Sequence, residues 1–169
     1  MPEHSITLRA AEPSDLDFLY RIENDTANWE VSNTRIPFSK NTLNLYLNQV
    51  HDIYADKQLR LVICSEGTPC GMADLFDFDP FHLRAGIGIV VDREYREQGI
   101  ASQALELLKK YSAEHLGLRI LYCTILAKNA GSIRLFEKAS FFYTGTHKDW
   151  HRTGAGEFTD EIMYQFNFR

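Results

Sequence analysis

One strand–turn–helix junction constrains the fold of this chain more than any other part of its sequence. An apolar run at residues 87–91 ends in a polar turn, which passes through Gly99 and Ala101 into an amphipathic helix. Small residues there let a ligand approach the backbone, and the first N–H groups of a helix have no acceptor within it. The helix dipole adds partial positive charge. The junction predicts a phosphate-binding helix terminus, although a glycine that only relieves packing also fits.

Composition and charge limit the classes of function. The 169 residues, 44% hydrophobic and 24% charged, are typical of one folded domain, which we expect to span residues 1–169. The formal net charge of −5 argues against a nucleic-acid partner. No apolar run approaches the length of a membrane span, so we expect no membrane partner.

The cysteines and the first residues bear on cellular location. The three cysteines, Cys64, Cys70 and Cys123, are odd in number and lack metal-ligand spacing. We therefore expect reduced, buried thiols and no metal site. Residues 1–4 carry neither the basic nor the apolar part of an export signal, which favours a cytoplasmic protein.

Hydrophobic periodicity predicts the order β-α-α-β-β-β-α-β-α-β-β, an α/β (α+β) protein with about seven strands and about four helices. Strands four and five must be parallel because a helix connects them. The other strands form mostly antiparallel pairs. Residues 24–37 are predicted to be irregular, and residues 43–54 to form a single helix.

Two motifs together resemble the GNAT superfamily of acetyl-CoA-dependent N-acetyltransferases. The first is Arg96-x-x-Gly99-x-Ala101, and the second, NAGSIRLFEKASF at residues 129–141, is similar to the family's N-x-x-(S/A)-I-x-L-(Y/F)-E-K-x-G-F stretch. Residues 6–9 and 160–164 are most similar to the RimJ/RimL and spermidine acetyltransferase subgroup. The resemblance implies a GNAT fold over the whole chain: a mixed, twisted sheet whose parallel strands four and five splay around the cofactor.

The resemblance also implies that the chain binds acetyl-CoA. Backbone N–H groups at the helix start would hold the pyrophosphate, and Arg96 would shape or neutralise the turn. The edge of strand four would pair with the pantetheine arm as with an extra strand. Asn129 would bond the same arm, although a helix N-cap also explains its position. The implied cofactor-binding residues are Ile89, Val90, Val91, Arg96, Glu97, Gln98, Gly99, Ile100, Ala101, Ser102 and Asn129.

Acetyl transfer to an amine requires loss of a proton from a group whose pKa is about 10. Many family members carry a tyrosine as general acid where this chain has Phe136, and spermidine-type members carry a glutamate where it has Gly86. Ser140 replaces the usual glycine of the second motif. Departure of the thiolate does not require an acid, because a free thiol has a pKa of about 8.5.

The sequence offers other groups for the proton transfer. His151 lies where RimL-like members place an acidic base, and histidine titrates in the useful range, although an exposed loop histidine fits as well. Asp149 and Asp74 are further candidates for the base. Tyr143 is a weak candidate for the acid, because many such tyrosines only pack.

The acetyl acceptor is expected to bind at residues 24–37 and 76–82. Their acidity suits a cationic amine, such as a polyamine, or a basic protein N-terminus, but ordinary surface acidity explains it too. Trp29 and Phe81 either line this pocket or pack. The acidic residues concerned are Glu23, Asp25, Glu30, Asp77 and Asp79. We predict an N-acetyltransferase that acts on a primary amine, with a second copy of the chain, in a homodimer, as a candidate partner. The alternative is a catalytically lapsed acyl-CoA-binding or sensing module.

Overall fold

The computed structural model of the protein describes residues 5–169, so the residues on which the export prediction rests lie outside it. Seven strands form one mixed sheet in the order β1-β2-β3-β4-β5-β7-β6. Only the β4–β5 pair is parallel among these strands, as predicted. The strands are β1 (Ile6–Ala10), β2 (Leu59–Ser65), β3 (Thr68–Asp79), β4 (Arg84–Val91), β5 (Ile120–Leu126), β6 (Phe142–Arg152) and β7 (Phe158–Asn167).

The described residues form six α-helices, two more than predicted. One of them, at residues 26–32, lies inside the segment predicted to be irregular. Asp25 is its N-cap, because the Asp25 side chain accepts the Ala27 N–H at 3.0 Å. The predicted helix at 43–54 is split, since the Asn48 side chain donates to the Asn44 carbonyl at 2.7 Å and ends the first half. The helices are α1 (Leu16–Glu23), α2 (Thr26–Ser32), α3 (Lys40–Leu47), α4 (Ile53–Asp56), α5 (Ile100–Glu114) and α6 (Ala130–Lys138).

Helices cover both faces of the sheet. Successive residues of β2 alternate between two cores: Ile63 packs with α5 and α6, whereas Val62 packs with α1 and α3. The three cysteines are buried and free. Within residues 5–169, no helix combines the length and apolarity needed to cross a bilayer.

The parallel strands separate soon after they pair. β4 contacts β5 only where residues 84–86 face residues 120–122. Beyond that point β4 continues to Val91 against β3 alone, while β5 continues to Leu126 against β7. The sheet therefore opens into a V, and the β5-facing edge of residues 87–91 has no strand partner among the described residues.

Candidate active site

The V between β4 and β5 opens a cleft of about 460 Å³. Residues 87–90 of β4 and 123–126 of β5 form its two sides. The α1–α2 segment adds a third wall, and His151 and Glu161 from β6 and β7 add a fourth. Elements that are distant in the sequence thus meet where the sheet splits.

The turn before α5 leaves backbone donors free. Gly99 is the N-cap of α5 at φ 78°, and no side chain among the described residues caps the helix there. A Cβ at Gly99 would meet nothing within 4 Å, so open space faces the turn. The N–H groups of the first turn can therefore donate hydrogen bonds to an anionic ligand, as pyrophosphate binding requires.

Arg96 shapes this turn. Its Nε donates to the Val91 carbonyl at 2.9 Å, and its Nη2 donates to Asn28 Oδ1 at 2.8 Å. The side chain therefore ties the turn to the end of β4 and to α2. Of the two roles expected for Arg96, the geometry supports the shaping of the turn.

Asn129 has the capping geometry that its position predicted. Its Oδ1 accepts the Ser132 N–H at 3.1 Å at the start of α6. The residue also lines the cleft, and its amide nitrogen donates to no acceptor in residues 5–169. The cap uses only the oxygen, so the nitrogen is available to a ligand.

The residues expected to move protons do not lie together. His151 and Asp74 line the cleft, whereas Tyr143 and Asp149 do not. Tyr143 is 58% exposed, and its hydroxyl contacts Thr146 Oγ1 at 3.0 Å. Asp149 lies in a bulge of the edge strand β6 at φ 49°, which turns it outward, so neither residue is positioned to act in the cleft.

A glutamate that the sequence did not single out connects two histidines. His151 Nε2 lies 2.6 Å from one oxygen of Glu161, and His147 Nδ1 lies 3.0 Å from the other. A carboxylate can only accept, so each of these ring nitrogens carries the proton. In neutral His151 the Nδ1 atom is then left unprotonated, as a general base must be.

Glu161 stays ionised in this cluster. It is 8% exposed, and burial alone would raise its pKa. Hydrogen bonds from His151 and His147 outweigh burial, so the pKa of Glu161 lies below its ordinary value. The carboxylate therefore fixes the tautomer of His151, a positioning role.

A second charged cluster lies on the α1 side of the cleft. Arg60 donates two hydrogen bonds to Asp74, both at 2.9 Å, and a third to Glu23. Burial would lower the pKa of Arg60, but the two carboxylates outweigh it and raise that pKa. Two carboxylates and one guanidinium carry a net charge of −1, which favours a cationic ligand.

The other acidic residues expected at the acceptor site are divided. Glu30 lines the cleft and pairs with Lys128 at 2.6 Å. Asp25 instead pairs with Arg93 at 2.8 Å, Asp79 accepts the His82 N–H at 2.9 Å, and Asp77 accepts the Tyr122 hydroxyl at 3.3 Å. None of these three aspartates lines the cleft.

The two aromatic residues expected at the acceptor site, Trp29 and Phe81, do not line the cleft either. The Trp29 ring N–H donates to the Glu23 carbonyl, and Phe81 is 85% exposed.

Packing explains one departure from the family pattern. A Cβ at Gly86 would lie 2.1 Å from the Phe76 ring, so no glutamate fits there without moving that ring. Phe136 lines the cleft, buried and without a hydroxyl.

Cys123 also lines the cleft, but burial raises the pKa of its thiol to about 12, which leaves no thiolate nucleophile at neutral pH.

Comparison with known proteins decides the family. A family model described as an acetyltransferase (GNAT) domain matches residues 5–141. The chain belongs to the GNAT acetyltransferase family. GNAT acetyltransferases use acetyl-CoA, so the predictions of an N-acetyltransferase and of its cofactor are confirmed.

Individual relatives agree with the GNAT assignment. The spermidine N(1)-acetyltransferase of Escherichia coli K12 is 27% identical over 147 residues, which cover 84% of this chain and 75% of that protein. A crystal structure of a probable acetyltransferase aligns with a TM-score of 0.84 at 25% identity, over 98% of this chain and 93% of the other. The Vibrio cholerae spermidine N-acetyltransferase in complex with CoA and spermine aligns with a TM-score of 0.87 at 21% identity, over 96% and 95%. At this low sequence identity, the last alignment shows that the two proteins share a fold.

Proposed function

We propose that this chain transfers an acetyl group from acetyl-CoA to a primary amine. The first candidate acceptor is a small cationic amine such as a polyamine, and the second is the N-terminus of a basic peptide. The observation that carries the proposal is the acidic cleft at the splay of β4 and β5. Glu23, Asp74 and Glu161 outnumber Arg60 there, so a second positive charge on the acceptor is stabilised. Relatives named as spermidine acetyltransferases support this acceptor class.

In the proposed mechanism, His151 takes the proton of the acceptor. An ammonium cannot attack a carbonyl, so the amine must first lose a proton. Nδ1 of neutral His151 accepts it, and Glu161 stabilises the imidazolium through its 2.6 Å contact with Nε2. The acidic cluster at Arg60 holds the rest of the acceptor, which orients the reacting amine.

Acetyl-CoA supplies the acetyl group as a thioester with a good leaving group. The free edge of β4 at residues 89–91 offers backbone groups to the pantetheine arm and to the thioester oxygen. The turn and helix start at residues 96–102, with Asn129, hold the rest of the cofactor. Phe136 is compatible with turnover because the thiolate needs no acid.

Phe136 and Gly86 support a second candidate, an acyl-CoA-binding module whose catalysis has lapsed. Both positions lack the side chains that family members use, and Phe76 fills the space of a glutamate. Under either proposal we take residues 1–169 as one RimJ/RimL-like domain. The buried, free thiols favour a cytoplasmic location, and a homodimer is the simplest assembly to test.

Release of free thiol from acetyl-CoA across a panel of amines tests the function. Two matched pairs are informative. Spermidine against butylamine isolates the second charge, and a basic peptide against the same peptide with a blocked N-terminus isolates the N-terminal amine. We expect the polyamine to exceed the monoamine in kcat/KM by about tenfold or more, because the cleft stabilises its second charge. Tight CoA binding without turnover on any amine contradicts the enzyme and selects the lapsed module.

A further inference from the structure

Asn28, on α2, sits between the two halves of the site. The residue is 6% exposed, and it lines both the main cleft and a second cavity beside residues 92–94. It is the residue through which Arg96 ties the cofactor turn to the acceptor wall. A group in this position lies beside both the cleft and the turn before α5.

Hydrogen-bond chemistry fixes the orientation of the Asn28 amide. A guanidinium can only donate, so the Asn28 atom that lies 2.8 Å from Arg96 is the oxygen. The remaining atom, Nδ2, is then a donor. It is buried, and among residues 5–169 it has no acceptor. Unpaired buried donors are costly and rare in native proteins, which indicates that a ligand supplies the acceptor.

We propose that Asn28 Nδ2 donates a hydrogen bond to an oxygen of bound acyl-CoA, where the arm passes from the cleft to the turn. An NH₂ group cannot bind an ammonium, so a cationic acceptor is the wrong partner for it. The CoA arm carries amide carbonyl, hydroxyl and phosphate oxygens, all of which accept. The proposal rests on the use of acetyl-CoA by the family and not on the choice of amine.

Two neighbouring ion pairs hold this region against the cofactor turn. Arg93 donates to both oxygens of Asp25, at 3.0 and 2.8 Å, and Arg21 lies 2.7 Å from Asp92. Together with the Asn28–Arg96 bond they hold the α1–α2 segment against residues 92–96. Asn28 is thereby presented from a fixed position, as a specificity-determining contact requires.

Calorimetric titration of CoA into Asn28→Asp tests the proposal. The aspartate keeps an oxygen for Arg96, so the tie to the turn is retained, but it removes the donor. We expect Kd for CoA to rise at least about tenfold, because the hydrogen bond from Nδ2 is lost and the aspartate oxygen in its place would face the acceptor oxygen of CoA. Asn41→Asp places the same charge on the exposed first turn of α3, outside the cleft lining, and is expected to keep the wild-type Kd.

The side-chain NMR signals of wild-type Asn28 give a second readout that needs no variant. The Nδ2 protons are expected to shift downfield when CoA is added and to stay in place when only the amine is added. Equal Kd values in the Asn28 and Asn41 variants, or unshifted Nδ2 protons at saturating CoA, would overturn the proposal and assign Nδ2 to a trapped water. Both readouts hold even if no amine is acetylated, so they are separate from the test of function.

Discussion

The two halves of the cleft are built in different ways. On the cofactor side, residues 87–102 form one continuous strand–turn–helix segment that presents backbone groups. On the acceptor side, Glu23, Arg60, Asp74 and the His151–Glu161 pair come from five separate elements and present side chains. A backbone site depends on conformation, which a short motif encodes. A side-chain site depends on register and burial across the whole sheet, which no short motif encodes.

Replacement of Gly99 by valine tests the backbone half with the largest expected effect. Valine is strained at φ 78° and fills the open space over the turn, so we expect the affinity for CoA to fall by more than about a hundredfold. Gly117→Val is the matched control, because Gly117 has φ 62° and an equally open surrounding beyond the other end of α5. Calorimetric Kd values check both, and equal losses would show that only backbone strain is at work.

Glu161→Gln tests the side-chain half. Glutamine accepts fewer hydrogen bonds and carries no charge, so it stabilises the imidazolium of His151 poorly. We expect kcat/KM for the amine to fall about tenfold to a hundredfold, with an unchanged Kd for CoA. Steady-state kinetics and calorimetry measure the two quantities. A parallel loss of CoA affinity would contradict the separation of the two halves.

Glu23→Gln removes charge from the acceptor cluster and leaves the two Arg60–Asp74 bonds in place. The cleft loses one negative charge, so KM for a polyamine is expected to rise about fivefold to tenfold while kcat changes little. Glu114→Gln, at the exposed end of α5, serves as the control. If KM responds equally in both variants, the cluster does not hold the acceptor.

The smallest expected effect concerns stability. The pKa of Glu161 is lower in the folded protein than its ordinary value of 4.5, so the folded state favours the carboxylate. That stability is present above pH 4.5 and is lost as pH falls through the folded pKa. The free energy of unfolding of wild type should exceed that of Glu161→Gln by about 1 kcal/mol at pH 7, and the gap should shrink in acid. Urea unfolding at several pH values checks this, and a gap that widens in acid would contradict it.

The difference between the halves explains which features the sequence could predict. The Gly99 turn and the Asn129 cap follow from local patterns and are present in the structure. Glu161 lies on the polar side of an alternating strand, where nothing local marks it as buried beside His151. Asp149 is turned outward by a bulge in β6 that sequence spacing does not reveal. Asn28 belongs to a helix within a segment predicted to be irregular.

The pH dependence of kcat/KM for the amine in His151→Ala, at saturating acetyl-CoA, is the most direct test of the proposed proton route. Without His151 Nδ1, the reaction depends on amine that has already lost its proton, and the pKa of a free amine is about 10. We expect a deficit in kcat/KM that is large near neutral pH and shrinks towards pH 10, with an unchanged Kd for CoA. A profile parallel to that of wild type at every pH would contradict the assignment of His151 as the base.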